Sequence, residues 1–218
     1  MLVKLAADNR TLKQIRSNQR KADKKRELLP FYLPWVAGVL ANGKGAQDDI
    51  VMTVMLWRLD ADDIAGALEI ARYAMTWGLT MPTGRRPTPY LLTEEVALAA
   101  QRLLAAKQPV ELANLLDTIA LTERADMPDI VRAKLHKITG YVLRDANQLP
   151  EALAHLQRAI QLERTIGVKK DIEQLERQLR PKPEPAPKAT TTKPRTRKPA
   201  AKPAGRRGRP PKAAKAAG

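Results

Sequence analysis

Between residues 1 and 180, apolar side chains recur every three or four positions, and no convincing run alternates with the period of a strand. That spacing gathers them on one face of an α-helix, so the chain is predicted to be all-α. The clearest stretch is ADDIAGALEIARYAMTWGL, where Ile64, Leu68, Ala71 and Met75 share a face. Asp60, Asp62 and Asp63 crowd its start and Gly78 marks its end, as capping and the helix dipole favour. QLPEALAHLQRAIQLE repeats the pattern with Leu149, Leu153, Leu156, Ile160 and Leu162, and Pro150 suits a first helical turn. Further helices are expected near 2–28, 31–42, 46–59, 93–107, 109–122, 128–145 and 168–179. TMPTGRRPTPY, with three prolines, reads as a loop at 80–90 that divides the body.

Two of these helices share more than a face. Ala67, Leu68, Ala71 and Ala74 have the spacing of Ala152, Leu153, Leu156 and Ala159. Each set follows a cluster of large residues, around Trp57 to Leu59 and Tyr141 to Leu143. The expected architecture is a helical-hairpin bundle with some tetratricopeptide-like character. Two ordinary antiparallel hairpins with alanine at close crossings satisfy the same spacing. Trp35, Trp57, Trp77, Phe31 and Tyr32 lie in apolar contexts and are expected to pack in the core or between subunits.

Charge separates body from tail. The formal net charge is +16, and residues 181–218 hold 12 Lys/Arg against Glu184 alone. The same segment carries nine of the 17 prolines and no aromatic residue, so too little apolar surface is available to offset conformational entropy. A disordered basic C-terminal tail is expected at 181–218, after a basic N-terminal helix at 1–28 and a helical core at 29–180. The chain has no cysteine, which excludes disulfides, thiolate metal sites and cysteine nucleophiles. MLVKLAADNRTLKQ reaches charge before an apolar core forms, and no apolar run is long enough to span a bilayer. A soluble intracellular protein is expected.

The cations point to duplex DNA. In GRRGRPPK, Arg206, Arg207, Gly208, Arg209, Pro210 and Lys212 match the core and flank of an AT-hook. Glycine lets the backbone lie on the floor of a narrow A/T-rich minor groove, proline holds it extended, and the arginines follow the negative potential between the phosphate walls. A generic basic tail holding phosphates without preference is the alternative. At the other end, RTLKQIRSNQRKADKKR places Arg10, Lys13, Arg16, Arg20, Lys21, Lys24, Lys25 and Arg26 against Asp23 alone. Leu2, Leu5, Leu12 and Ile15 give this stretch a narrow apolar edge, so it reads as a helix packed on one side and basic on the other. Arg85 and Arg86 in the mid-chain loop are a third candidate contact.

Catalytic patterns are weaker. GVLANGKG has Gly38, Gly43 and Lys44 at P-loop spacing, but Gly45 stands where a hydroxyl should hold magnesium, and the context is helical. A helix end and turn explain it. Asp48/Asp49, Asp60/Asp62/Asp63 and Glu94/Glu95 are the carboxylates that two-metal nuclease chemistry could use. Each cluster falls where a helix is expected to begin, so capping accounts for them. His136 and His155 sit alone on their helices at a spacing that suggests no metal pair, and each reads as a surface or partly packed histidine. No cofactor and no metal site are identified.

LLPFYLPWV, GKGAQDDI and MLWRLD lie within residues 24–82, and with MLVKLAAD (1–8), TEEVALAA (93–100), ADMPDIVRAKLHKITGYVLRDA (125–146), ALAHLQRAIQLE (152–163), VKKDIEQLERQL (168–179) and a tail ending in GRP they cover nearly the whole chain. In these stretches the chain resembles the small terminase subunit of P2-like phages, the terminase endonuclease subunit or gpM family. The resemblance implies a DNA-packaging component that recognises the packaging (cos) site on double-stranded phage DNA, engages a large ATPase subunit and assembles as a homo-oligomeric ring in the host cell cytoplasm. It also implies an endonuclease, which would require Mg2+, but no established catalytic motif can be matched and no residue inherits that role. A nucleoid-type protein with general A/T-rich binding is the third reading.

Overall fold

A computed structural model describes residues 1–82, 84 and 86–180. Within them are nine helices and no strand: α1 (Leu2–Gln14), α2 (Asn18–Asn42), α3 (Asp49–Asp60), α4 (Ile64–Trp77), α5 (Thr88–Ala105), α6 (Leu112–Thr122), α7 (Asp129–Asp145), α8 (Leu149–Leu162) and α9 (Lys169–Leu179). The described residues form one compact unit.

Successive helices pair as antiparallel neighbours, and the pairs stack. α3 packs on α4, α5 on α6 and α7 on α8, while α3 also touches α5, α5 touches α7 and α4 touches α6. The hairpins therefore stack through α3, α5 and α7, with α4 and α6 also in contact, and with α2 covering α3 at one end and α9 covering α8 at the other. The main core runs through α1 to α7 and includes Tyr32, Met52, Met55, Leu59, Leu68, Ile70 and Leu92, all fully buried. A second, smaller cluster joins Leu143, Ala152, Leu156, Val168 and Leu175. At the α7–α8 crossing, a methyl group on Gly140 would come within 2.6 Å of the Leu156 side chain and 3.2 Å of the Ala152 carbonyl. The bare glycine is what lets these helices approach.

The odd-numbered helices of the stack end alike. Asp62, Lys107 and Asn147 follow α3, α5 and α7 in the left-handed conformation, with φ of 65°, 56° and 59°. After each, an amide reaches back five residues: Asp63 to Arg58, Gln108 to Leu103 and Gln148 to Leu143. This satisfies carbonyls that a helix end leaves open.

Several boundaries differ from the periodicity. The helix expected over 2–28 breaks at Ile15, which is extended, and restarts at Asn18 because the Ser17 hydroxyl accepts the Arg20 amide. The boundary expected at Pro30 is not there. α2 runs through Pro30 and Pro34, keeping Leu29, Tyr32 and Val36 buried along one face. Packing of that face outweighs the backbone hydrogen bonds that the prolines forgo. α5 begins at Thr88, within the segment expected to be loop, because Pro89 lies in its first turn, where no amide is needed.

Candidate nucleic-acid interface

The break between α1 and α2 makes a basic elbow. Lys13 lies in the last turn of α1, Arg16 in the extended link, and Arg20 and Lys21 in the first turns of α2. Arg10, Lys13, Arg16 and Arg20 are exposed, and none forms an ion pair among the described residues. The first turn of α2 holds no acid. Lys13 suits the C-terminal end of α1, but Arg20 and Lys21 beside the α2 N-terminus oppose its dipole, and the exposed amides and charges there together favour an anion.

The other predicted cations are engaged. Lys24 pairs with Glu27 at 2.7 Å and Lys25 with Asp60. Arg26 bridges Asp23 at 2.7 Å and Asp62 at 3.2 Å, and its Nε donates to the Ala61 carbonyl. Arg102 donates to the same Asp62 and to the Leu59 carbonyl. This network ties α2 to the α3–α4 turn and to α5, beside a polar cleft of about 670 Å³ that Lys21 also lines. The sequence count of eight cations could not make the whole of this division: Glu27 and Asp23 are three residues from their partners, but Asp60 and Asp62 lie 35 and 36 residues from Lys25 and Arg26. Arg86 pairs with Glu94. Arg85 and the whole AT-hook stretch, Arg206, Arg207, Gly208, Arg209, Pro210 and Lys212, lie outside the described residues.

The acidic clusters are taken up by structure, in part as expected. Asp48 caps α3, accepting the Ile50 and Val51 amides, and also accepts the Trp35 indole N–H at 3.0 Å. Asp63 caps α4 through the Gly66 amide and pairs with Arg58 at 2.6 Å. Glu94 and Glu95 do not cap, because α5 starts six residues before Glu94. Burial, together with the nearby Asp60 and Glu94 charges, pushes the Glu95 carboxyl above its ordinary range. No group of three or more His, Cys, Asp or Glu side chains that could hold a metal occurs among the described residues.

The aromatic residues divide too. Trp57 is buried and meets Tyr32 edge-on at 5.6 Å. Trp35 and Trp77 are 41% and 52% exposed, outside the core of the single chain. The P-loop lookalike is the end of α2 and its following turn. Tyr73 closes over Gly43 and accepts the Gly45 amide at 2.9 Å, while Gly45 has φ 75° against the Trp77 ring. A substituted residue would fit at neither glycine.

The histidines correct the sequence reading. His136 on α7 and His155 on α8 are not isolated: their Nδ1 atoms stand 3.1 Å apart. Spacing within one helix says nothing about a neighbour across a hairpin.

Comparison with known proteins gives a consistent assignment. The family model described as phage small terminase subunit matches residues 2–130. The "Terminase, endonuclease subunit" of Escherichia phage P2 is 66% identical over 215 residues, spanning 98% of this chain and 86% of that one. The "Probable terminase, endonuclease subunit" of Haemophilus phage HP1 (strain HP1c1) is 27% identical over 188 residues, spanning 78% of this chain and 66% of that one. No solved structure matches. With most of its helical body matched by the family model, and nearly its whole length by the phage P2 protein, the chain belongs to the phage small terminase subunit family.

Proposed function

We propose that this small terminase subunit binds double-stranded phage DNA through the α1–α2 elbow and the C-terminal tail, recognises the packaging (cos) site, and brings the large ATPase subunit to it for genome cutting and packaging. The observation that carries the DNA contact is the set of exposed cations without acidic partners, Arg10, Lys13, Arg16 and Arg20, around a helix start that has no acid. Lys21, at the edge of the polar cleft, completes the patch. The tail adds Arg206, Arg207, Gly208, Arg209, Pro210 and Lys212 as a minor-groove element. Assembly as a homo-oligomeric ring in the host cytoplasm completes the reading, with half-exposed Trp35 and Trp77 as candidate subunit contacts.

The ion-pair map yields a discriminating test. Arg16→Glu with Arg20→Glu is expected to weaken binding to cos DNA at least tenfold and to lower the slope of log affinity against log salt by about 2, one per lost phosphate contact. Lys24→Gln, whose parent side chain faces Glu27, is expected to change neither by more than about twofold. Equal effects at both places would remove the elbow as the contact.

The name of the phage P2 relative, an endonuclease subunit, favours a second reading, that this subunit itself cuts DNA with Mg2+. Purified protein with cos DNA and Mg2+, without the large subunit, decides it. Specific nicking that Asp60→Asn or Glu95→Gln abolishes establishes the nuclease. Binding without nicking assigns cutting to the partner.

A further inference from the structure

We propose that His136 and His155 form a bidentate site for a late first-row transition-metal ion, Zn2+, Ni2+ or Cu2+, that clamps α7 to α8. These are the chain's two histidines, 19 residues apart, and the hairpin brings their Nδ1 atoms to 3.1 Å with ring centroids 5.1 Å apart and planes tilted by 38°. Two imidazole nitrogens that far apart, each 2.0–2.1 Å from a shared ion, subtend about 98° at the metal. That angle lies between the octahedral and tetrahedral values, so the nitrogen separation suits a shared ion once the two rings turn to aim both lone pairs at it.

The helices are held for it. Gly140, one turn beyond His136, sits against Leu156, the neighbour of His155, so the backbones that carry the two rings are already in close contact. Both rings are half-buried, and burial holds both below the ordinary histidine range; His136, with His155, Arg158 and Arg132 adding to the effect, falls to about 4. At neutral pH neither ring needs to lose a charge-bearing proton before it can ligate. In the metal-free pair one Nδ1 must donate a proton to the other. Metal binding moves that proton to Nε2 and leaves both Nδ1 lone pairs on the ion, with water in the remaining positions.

The surroundings set the strength. Arg132 and Arg158 lie close enough to His136 to oppose added positive charge. The Arg132 Nη2 donates to the carbonyls of Thr122, Glu123 and Ala125, which holds its guanidinium in place. No carboxylate completes a three-ligand set among the described residues. The site should therefore be modest in affinity and follow the order of imidazole-seeking ions, Cu2+ above Ni2+ and Zn2+, with Mg2+ excluded.

Isothermal titration of the full chain at neutral pH with ZnCl2, NiCl2, CuCl2 and MgCl2 tests this. One saturable ion per chain is expected for the first three and none for Mg2+, with His136→Gln and His155→Gln each lowering affinity at least tenfold. Zn2+ should raise the thermal midpoint of the parent chain, and a chelator should reverse it. A measurement on the parent chain covers the case in which a variant misfolds: long-range 1H–15N spectra of the imidazoles should show both Nδ1 signals moving on Zn2+ addition, with both Nε2 protonated in the metal-bound form. No saturable binding below about 1 mM Zn2+ or Ni2+, undiminished binding by either variant, or Nδ1 signals unmoved by Zn2+ would overturn the proposal and leave a simple histidine–histidine hydrogen bond.

Discussion

His136 also illustrates how one residue can make the whole fold sensitive to acid. Unfolded, both histidines take up protons near pH 6.5; folded, burial and the facing charges of His155, Arg132 and Arg158 keep His136 neutral down to about pH 4. The unfolded state therefore binds more protons between those values, so stability is complete above about pH 7 and falls as pH drops from about 6.5 towards 4. The urea midpoint, with metal absent, should be lower at pH 5 than at pH 7.5, and a His136→Gln/His155→Gln double variant should lose most of that difference. Little of this was legible beforehand. Each histidine read as solitary because the two meet only when α7 folds back on α8. Arg26 teaches the same lesson, since its partner Asp62 lies 36 residues away.

At the scale of the element, the sequence was a better guide to where helices lie than to where they stop. α4 and α8 start and end as their caps and apolar spacing indicate, with Gly78 left-handed after α4 and Pro150 in the first turn of α8. The start of α5 falls inside the stretch that its three prolines mark as loop, and the break before α2 carries no proline or glycine to mark it. Proline ends a helix only when nothing holds the next turn in place, and in α2 the buried row of Leu29, Tyr32 and Val36 holds it. The α7–α8 contact allows a direct check. Gly140→Ala should stabilise an isolated helix, yet here it forces a methyl group against Leu156, so a net loss of about 1–3 kcal/mol is expected from chemical denaturation. A gain in stability would mean that Leu156 has room to turn away.

For the whole molecule, the division into a helical body and a basic tail follows from composition, because the prolines and the charge excess concentrate in the same 38 residues. The tail's role belongs to its chemistry, and its removal is informative. Deleting residues 181–218 should weaken DNA binding and flatten its salt dependence, each lost phosphate contact taking about one unit from the slope, while the circular-dichroism signal of the helices persists. Loss of helical signal would mean that the body needs the tail to fold. The basic elbow was read as part of one long cationic helix. Its true extent became visible only once Asp60, Asp62 and Glu27 had claimed their partners.

The stack of hairpins carries one more implication. Each hairpin leans chiefly on the next, and α8 and α9 join Leu143 of α7 in a small cluster around Leu156, Val168 and Leu175, linked through Leu112 and Tyr141 to the larger one that α3 and α4 anchor. Such an array comes apart like a column of tiles, from the end with the fewest neighbours inward. Backbone amides of α9 and then α8 should exchange with heavy water well before those of α3 and α4. A pull on the C-terminal end would then yield stepwise lengthening, so the molecule could give way at one extremity under load while the remainder kept its grip.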